Sequence, residues 1–140
     1  MAHLEKQITE DLRARLQQHG PVWLGHWSFG SRSNIEIEVV GLGTEPSIAH
    51  LEYAAECVAR LETLLPELEA QLSGVEEDNP MFPPRQSRRW HLEGLSFVGP
   101  EPRRAEAFFT LDEPGYDYIY ILYSVEITEG QAGQAHADTR

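Results

Sequence analysis

The six histidines are the residues most able to bind a metal ion, but their spacing matches no common ligand pattern. His3, His50 and His91 each begin a His-Leu-Glu triplet, yet two triplets fall in predicted helices and one in a predicted strand. The sequence has no His-Glu-x-x-His motif, no Cys-x-x-Cys motif and no histidine pair at i,i+4. We therefore predict that the chain has no metal site.

Nucleophilic and phosphate-binding chemistry also has only weak signals. Cys57 is the single cysteine, and it falls in a helical pattern beside Glu56, which disfavours a thiolate. The segment Gly41-Leu42-Gly43-Thr44 joins a predicted strand to a predicted helix, a place where backbone amides can bind phosphate. However, Glu45 adds negative charge there, and no third glycine or lysine follows at a nucleotide-binding spacing. We predict no cofactor and a protein that is not an enzyme.

The charge of the chain limits the classes of partner. The net charge is −12, with acidic residues dominating positions 1–80 and 105–140 and basic residues dominating positions 81–104. An acidic surface repels nucleic acid and anionic membranes, and it attracts cationic proteins. The N-terminal segment does not resemble a signal peptide, and no apolar run approaches the about 20 residues of a membrane-spanning helix. We expect a cytoplasmic protein that binds neither nucleic acid nor membranes.

Two helices are predicted from apolar periodicity. Apolar residues recur every four positions and predict a helix over residues 3–18, which Gly20-Pro21 ends. Thr44 is a suitable N-cap for a second, longer helix that Ser73-Gly74 terminates. Pro66 lies within the apolar stripe of the second helix and leaves its phase unchanged, so we predict one helix with a kink at Pro66.

About five strands are predicted from alternation and turn residues. Two strands before the long helix form a hairpin, and three strands follow that helix. A change of phase at Glu93-Gly94 indicates a β-bulge in the first of these three. The predicted strands cover residues 22–29, 34–40, 90–98, 104–111 and 117–128.

The order α-ββ-α-βββ predicts an α+β fold. Short turns imply an antiparallel sheet of about five strands, with the long helix on one face, in a two-layer sandwich. Residues 1–128 are predicted to form a single domain, and residues 129–140, rich in Gly, Ala and Gln, a flexible tail. The apolar stripe of the first helix must pack either on the domain or on a second chain, and the second arrangement would be a homodimer through this helix.

An acidic and aromatic surface is the candidate binding site. Tyr118 and Tyr120 lie on the face of the last predicted strand opposite the residues that would pack under the long helix. If this face is uncovered, the tyrosines lie among carboxylates, a composition typical of protein-binding surfaces. Alternatively, the helix over residues 3–18 covers it. The predicted partner-binding residues are Glu36, Glu38, Asp112, Glu113, Tyr116, Asp117, Tyr118 and Tyr120.

Four segments in the C-terminal half carry a resemblance to known proteins: residues 90–98 (WHLEGLSFV), 107–112 (AFFTLD), 116–123 (YDYIYILY) and 126–130 (EITEG). Together they resemble the C-terminal β-meander of small bacterial proteins, several of which are immunity proteins encoded beside polymorphic toxins. The resemblance implies a non-enzymatic inhibitor that binds a cognate toxin domain and covers its active site. A basic toxin would suit the acidity of the chain.

Two other functions remain open at this point. One is a small-ligand-binding or enzymatic α+β domain, with a pocket between helix and sheet that Trp23, Trp27, Trp90 and His91 would line. The other is a homodimeric adaptor that uses the stripe of the first helix as its interface.

Overall fold

The computed structural model describes residues 2–30, 32–77, 89–112 and 121–139, which form three helices and an eight-stranded sheet. The helices are α1 (Ala2–Arg15), α2 (Ile48–Ala59) and α3 (Leu61–Glu77). The strands are β1 (Gln17–His19), β2 (Val22–Phe29), β3 (Arg32–Leu42), β4 (Glu45–Pro46), β5 (Arg89–Phe97), β6 (Arg104–Asp112), β7 (Ile121–Thr128) and β8 (Gln131–Thr139). The strand order is β1-β2-β3-β5-β6-β7-β8, and β4 pairs with β3 beside this path.

The central feature of the sheet is the pairing of β3 with β5. These two strands run parallel, from Glu36 opposite Gly94 to Val39 opposite Phe97, whereas the other described pairings are antiparallel. A parallel pair needs a long crossover, and here α2 and α3 supply it over one face of the sheet. The predicted sandwich of about five antiparallel strands under one long helix is therefore wrong. The described fold is a mixed eight-stranded sheet with three helices.

The long helix predicted over residues 44–73 is two helices, and the break lies at Arg60. The N–H of Arg60 donates to the carbonyl of Glu56 at the end of α2, and its carbonyl accepts from Leu64 at the start of α3. Pro66 lies within α3, so the prediction of a single helix with a kink at Pro66 is wrong. The break lets α2 pack near α1 and β3 while α3 packs near β7 and β8. Two shorter helices follow a twisted sheet better than one straight helix can.

Residues 131–139 form strand β8, although residues 129–140 were predicted to be a flexible tail. Their Ala, Gly and Gln residues have low β-propensity, so the pairing with β7 determines the strand and not the local sequence. Glu129 and Gly130 connect the two strands with φ values of 51° and 77°. Positive φ at both positions gives a tight turn whose twist matches that of the flanking strands.

Two local predictions are confirmed. β2 and β3 form the predicted antiparallel hairpin. The register of β5 against β6 shifts between Leu92 and Gly94, where the bulge was predicted.

The hydrophobic core lies between the helices and one face of the sheet. Tyr123, Val125 and Ile127 are fully buried there, which confirms that this face of the last predicted strand packs beneath the helices. The other strands contribute alternate residues, and the helices contribute leucines at helical spacing. None of the helices within the described ranges is long and apolar enough to span a membrane.

α1 belongs to the same layer as α2. Leu12 and Leu16 are 1% and 6% exposed, and Ile8 packs against the core beside them. A Cβ on Gly25 of β2 would lie only 2.7 Å from the carbonyl oxygen of Arg15, so the end of α1 lies directly on the core face of β2. The stripe that a homodimer would have used is thus occupied within the chain from Ile8 to Leu16.

Candidate functional site

The sheet face opposite the helices is covered by no helix or strand within the described ranges, and we call it the open face. Because side chains alternate along a strand, every second residue of β2, β3 and β5–β8 points to it. They include Leu24, His26, Glu36, Glu38, Val40, His91, Glu93, Ser96, Arg104, Glu106, Phe108, Thr110, Leu122, Ser124, Glu126 and His136.

One row of residues crosses the open face at its centre. It consists of successive cross-strand neighbours, one from each strand: His26, Glu36, Gly94, Phe108, Ser124 and His136. Phe108 is partly exposed in the middle of this row. Gly94 places no side chain beside it, and a Cβ there would lie 2.9 Å from the carbonyl oxygen of Glu36. The centre of the open face thus carries an apolar patch that consists of the partly exposed ring of Phe108 beside Gly94.

A second row lies beside the first, two residues away along each strand, and it is strongly acidic. It runs from Leu24 through Glu38, Ser96 and Glu106 to Glu126. Ser96 is 8% exposed and donates a hydrogen bond of 2.8 Å to Oε1 of Glu38. The carboxylate of Glu106 forms no hydrogen bond or ion pair with the residues the structure describes. This row therefore offers carboxylate oxygens to a partner.

The open face carries a clear excess of negative charge. Its carboxylates are Glu36, Glu38, Glu93, Glu106 and Glu126. Among the side chains that the structure describes, Arg104 is its only arginine or lysine, and Nη2 of Arg104 lies 3.7 Å from Oε1 of Glu126. Arg32 of β3 and Arg89 of β5 occupy further positions on this side of the sheet. An acidic face with an apolar centre attracts cationic groups and still has apolar area to bury.

A cleft of about 190 Å³ lies at one end of the open face, where β5 ends and β6 begins. Val98 is 41% exposed and forms part of its wall. Pockets for drug-sized ligands have volumes of roughly 300–1,000 Å³, so this cleft suits a group the size of one side chain. Its lining residues are Ser96, Val98, Gly99, Pro100, Glu101, Arg104, Ala105, Glu106 and Glu126.

A buried histidine holds one wall of this cleft. His50 is 7% exposed, its Nδ1 lies 2.7 Å from Oγ of Ser47, and its Nε2 lies 2.7 Å from the carbonyl oxygen of Gly99. Because a carbonyl oxygen can only accept, Nε2 carries a proton and donates it to Gly99, and in the neutral ring Nδ1 then accepts from the Ser47 hydroxyl. A serine beside a histidine can act as a nucleophile. Ser47, however, is 4% exposed and outside the cleft lining, so this pair is structural.

Gly99 lies in the loop between β5 and β6, and Arg103 holds this loop at a second point. Its Nη1 and Nη2 donate to the carboxylate of Glu56 at 2.8 and 3.1 Å, and its Nε donates to Glu129 at 2.6 Å. The guanidinium also lies 4.8 Å from the ring centre of Tyr53. The hydrogen bonds from Arg103 lower the pKa of the Glu56 carboxyl, and the same bonds raise the pKa of Arg103. Arg103 therefore joins the β5–β6 loop to α2 and to the β7–β8 turn.

Cys57 and Tyr53 lie one turn apart on α2 and are buried. Burial raises the pKa of the Cys57 thiol to about 12, and it raises the pKa of Tyr53 to about 12 as well. The Tyr53 hydroxyl accepts a hydrogen bond of 2.9 Å from the N–H of Gly130. Cys57 is therefore a packing residue, as the sequence indicates, and not a nucleophile.

Three of the eight predicted partner-binding residues lie among the residues that the structure describes. Glu36 and Glu38 lie on the open face, and Asp112 is the last residue of β6. Glu113, Tyr116, Asp117, Tyr118 and Tyr120 lie outside the described residues, and their role stays a prediction. α1 packs on the helix side of the sheet, so it does not cover the open face as the alternative proposed.

Sequence reasoning missed Glu106, Phe108 and Glu126. The signal was available in β6, where Arg104, Glu106, Phe108 and Thr110 alternate with the buried Ala105, Ala107 and Phe109. The strand was predicted, but its outward residues were not connected with Glu36 and Glu38, because the β3–β5 pairing was not foreseen.

The four residues named for a ligand pocket between helix and sheet do not lie on one face of the sheet. Trp23, Trp27 and Trp90 pack against the core, whereas His91 is exposed on the open face. No group of three or more metal-binding side chains occurs among the described residues.

Comparisons with protein-family models, curated proteins and solved structures give no match.

Proposed function

We propose that the protein is a non-enzymatic binding protein whose open face binds a cationic protein partner. The observation that supports this most directly is the open face itself: partly exposed Phe108 lies at its centre, with Glu36, Glu38, Glu106 and Glu126 around it. Aromatic residues near the centre of an interface usually contribute most of the binding energy.

The charge pattern assigns separate roles to the two parts of this surface. Carboxylates around the patch accelerate the encounter with a cationic partner, and this effect decreases as salt rises. Burial of the ring of Phe108 slows dissociation. Because the face is built on paired strands, little backbone order has to be gained on binding.

The finer proposal is that the partner is a basic toxin domain and that the protein is its immunity protein. The resemblance of the segments 90–98, 107–112, 116–123 and 126–130 to immunity-type proteins and the net charge of −12 support this. A toxin that cleaves nucleic acid needs a cationic groove for the phosphate backbone. A rigid acidic sheet can bind in such a groove and exclude the nucleic acid substrate.

The experiment is affinity capture from the native strain, followed by binding measurements with the purified partner. The proposal predicts a cationic protein, encoded beside this one and inhibited by it. Phe108→Ala should raise the Kd of the complex with this partner about thirtyfold, equivalent to about 2 kcal/mol of binding free energy. Ile48→Ala is the matched control, because Ile48 is 62% exposed at the start of α2 on the helix side.

The proposal also predicts that Ile48→Ala leaves the Kd unchanged, while circular dichroism shows both variants folded. A purified partner that binds wild type and Phe108→Ala with equal affinity would show that the open face is not the interface. A partner that is bound but not inhibited would reject the toxin proposal alone.

A further inference from the structure

We propose that the cleft at the end of the open face is a pocket for a single arginine side chain of the partner. This inference rests on the proposed function, because it specifies the chemistry of one contact within the same face. The cleft holds about 190 Å³, is continuous with the open face and combines an apolar wall with carboxylates.

Two of the three carboxylates that line the cleft lie on neighbouring strands. Glu106 and Glu126 occupy directly opposed positions on β6 and β7. Like charges at opposed positions, with Cβ atoms about 4.5–5.5 Å apart, destabilise a sheet. Arg104 balances this only loosely, since its closest approach to Glu126 is 3.7 Å. A second guanidinium would relieve the repulsion, and its fork of donors can bond two carboxylates at once where an ammonium offers a point charge.

The apolar wall suits the methylene groups of an arginine. Val98 is 41% exposed, and Pro100 lines the cleft with it. Arginine side chains commonly pack their stems on apolar surface while the charged end stays with polar groups. The small volume excludes a cofactor-sized ligand.

The pocket is held in shape from the helix side. His50 binds the carbonyl of Gly99, and Arg103 binds Glu56 and Glu129. These contacts fix the loop between β5 and β6 at two points. Binding a side chain there therefore costs little ordering of the loop.

The test is an NMR titration of the 15N-labelled protein with Nα-acetyl-arginine-N-methylamide. The neutral control is the citrulline analogue, which has nearly the same shape without the charge. We expect saturable shifts of the amides of Val98, Gly99, Arg104 and Glu106 with the arginine compound, and no saturable shift with citrulline. Glu106→Gln should weaken the binding about two- to fivefold, the range for an exposed charge pair.

Glu36→Gln is the matched variant, because it makes the same change on the open face but outside the cleft. It should leave the titration unchanged. The pocket is rejected if no amide at the cleft shifts saturably, if citrulline acts as well as arginine, or if Glu36→Gln weakens binding as much as Glu106→Gln does. If Phe108→Ala still weakens binding of the partner, such a result rejects the arginine pocket but not the proposed function. The failure of one proposal is therefore distinguishable from the failure of the other.

Discussion

His50 on α2 donates a hydrogen bond of 2.7 Å to the carbonyl oxygen of Gly99, which connects the helix layer to the loop that forms the cleft. The histidine is 7% exposed, and its other ring nitrogen accepts from Ser47, the N-cap of α2. One buried side chain thus fixes both the beginning of a helix and the position of the cleft wall. The open face and the helix layer are structurally coupled at this point.

The first prediction concerns this coupling. His50→Ala removes the donor to the Gly99 carbonyl and the ring nitrogen bonded to the Ser47 hydroxyl, which keeps only its bond from the backbone N–H of residue 50. An unsatisfied buried polar group costs about 1–3 kcal/mol. We expect a decrease of this size in the free energy of unfolding, measured by urea denaturation. His136→Ala is the control, because His136 is exposed on β8 and should have an effect below about 0.5 kcal/mol. Equal effects of the two substitutions would contradict the anchoring role of His50.

The second prediction concerns the β7–β8 turn. Gly130 has a φ of 77°, its carbonyl accepts from Arg60, and an added Cβ would collide with the Arg60 guanidinium. The guanidinium ends a flexible side chain and can move away, but it then loses its hydrogen bond to Gly130. Gly130→Ala should therefore destabilise the protein by the about 1–2 kcal/mol expected for positive φ plus about 0.5–1.5 kcal/mol for that bond. Gly20→Ala isolates the backbone effect, because Gly20 has a φ of 66° and nothing within 4 Å of an added Cβ. The free energy of unfolding can be measured for both variants by thermal or urea denaturation. An equal decrease in Gly130→Ala and Gly20→Ala would show that the contact with Arg60 is relieved without cost.

The third prediction is a pH dependence. The pKa of the Cys57 thiol is raised by burial from 9.0 to about 12. Above pH 9 the unfolded thiol loses its proton while the folded one keeps it, so unfolding becomes easier. Stability is therefore fully present below pH 9 and falls as pH rises toward 12. Tyr53 acts in the same direction between 10.0 and about 12.

Cys57→Ala should reduce the part of this alkaline loss that belongs to the thiol, as measured by denaturation at several pH values. The native thiol should also be unreactive toward a thiol reagent such as Ellman's reagent at pH 8, and should react after unfolding. Fast reaction of the native protein would contradict the raised pKa and the burial of Cys57.

The sequence predicts the local elements better than their assembly. Alternation at Ile35, Ile37 and Val39 indicates a half-buried strand, and the structure buries these three residues. The parallel pairing of β3 with β5 has no local signal, because it depends on where two helices return the chain. The break at Arg60 likewise depends on packing against the sheet, whereas Pro66 is the more visible feature of the sequence.

The candidate site shows the same division. Glu36 and Glu38 could be assigned to one face from their spacing alone. The row that joins Glu38 to Glu106 and Glu126 crosses four strands, so it becomes visible only once the strand order is known. The cleft depends further on His50 and Gly99, which are far apart in sequence.

The central claim is that a cationic partner binds the open face. Its most direct test is the association rate with the captured partner as a function of ionic strength, for two charge-reversed double variants. One variant is Glu36→Lys with Glu106→Lys on the open face. The other is Glu62→Lys with Glu67→Lys on exposed positions of α3, which changes the net charge equally on the helix side.

Association of the wild-type protein should slow steeply as salt rises, because screening acts over a Debye length of about 8 Å at physiological ionic strength. The open-face variant should associate at least about tenfold more slowly at low salt and depend little on salt. The α3 variant should stay much closer to wild type. Salt-independent association of the wild type, or equal slowing of the two variants, would contradict binding through the open face.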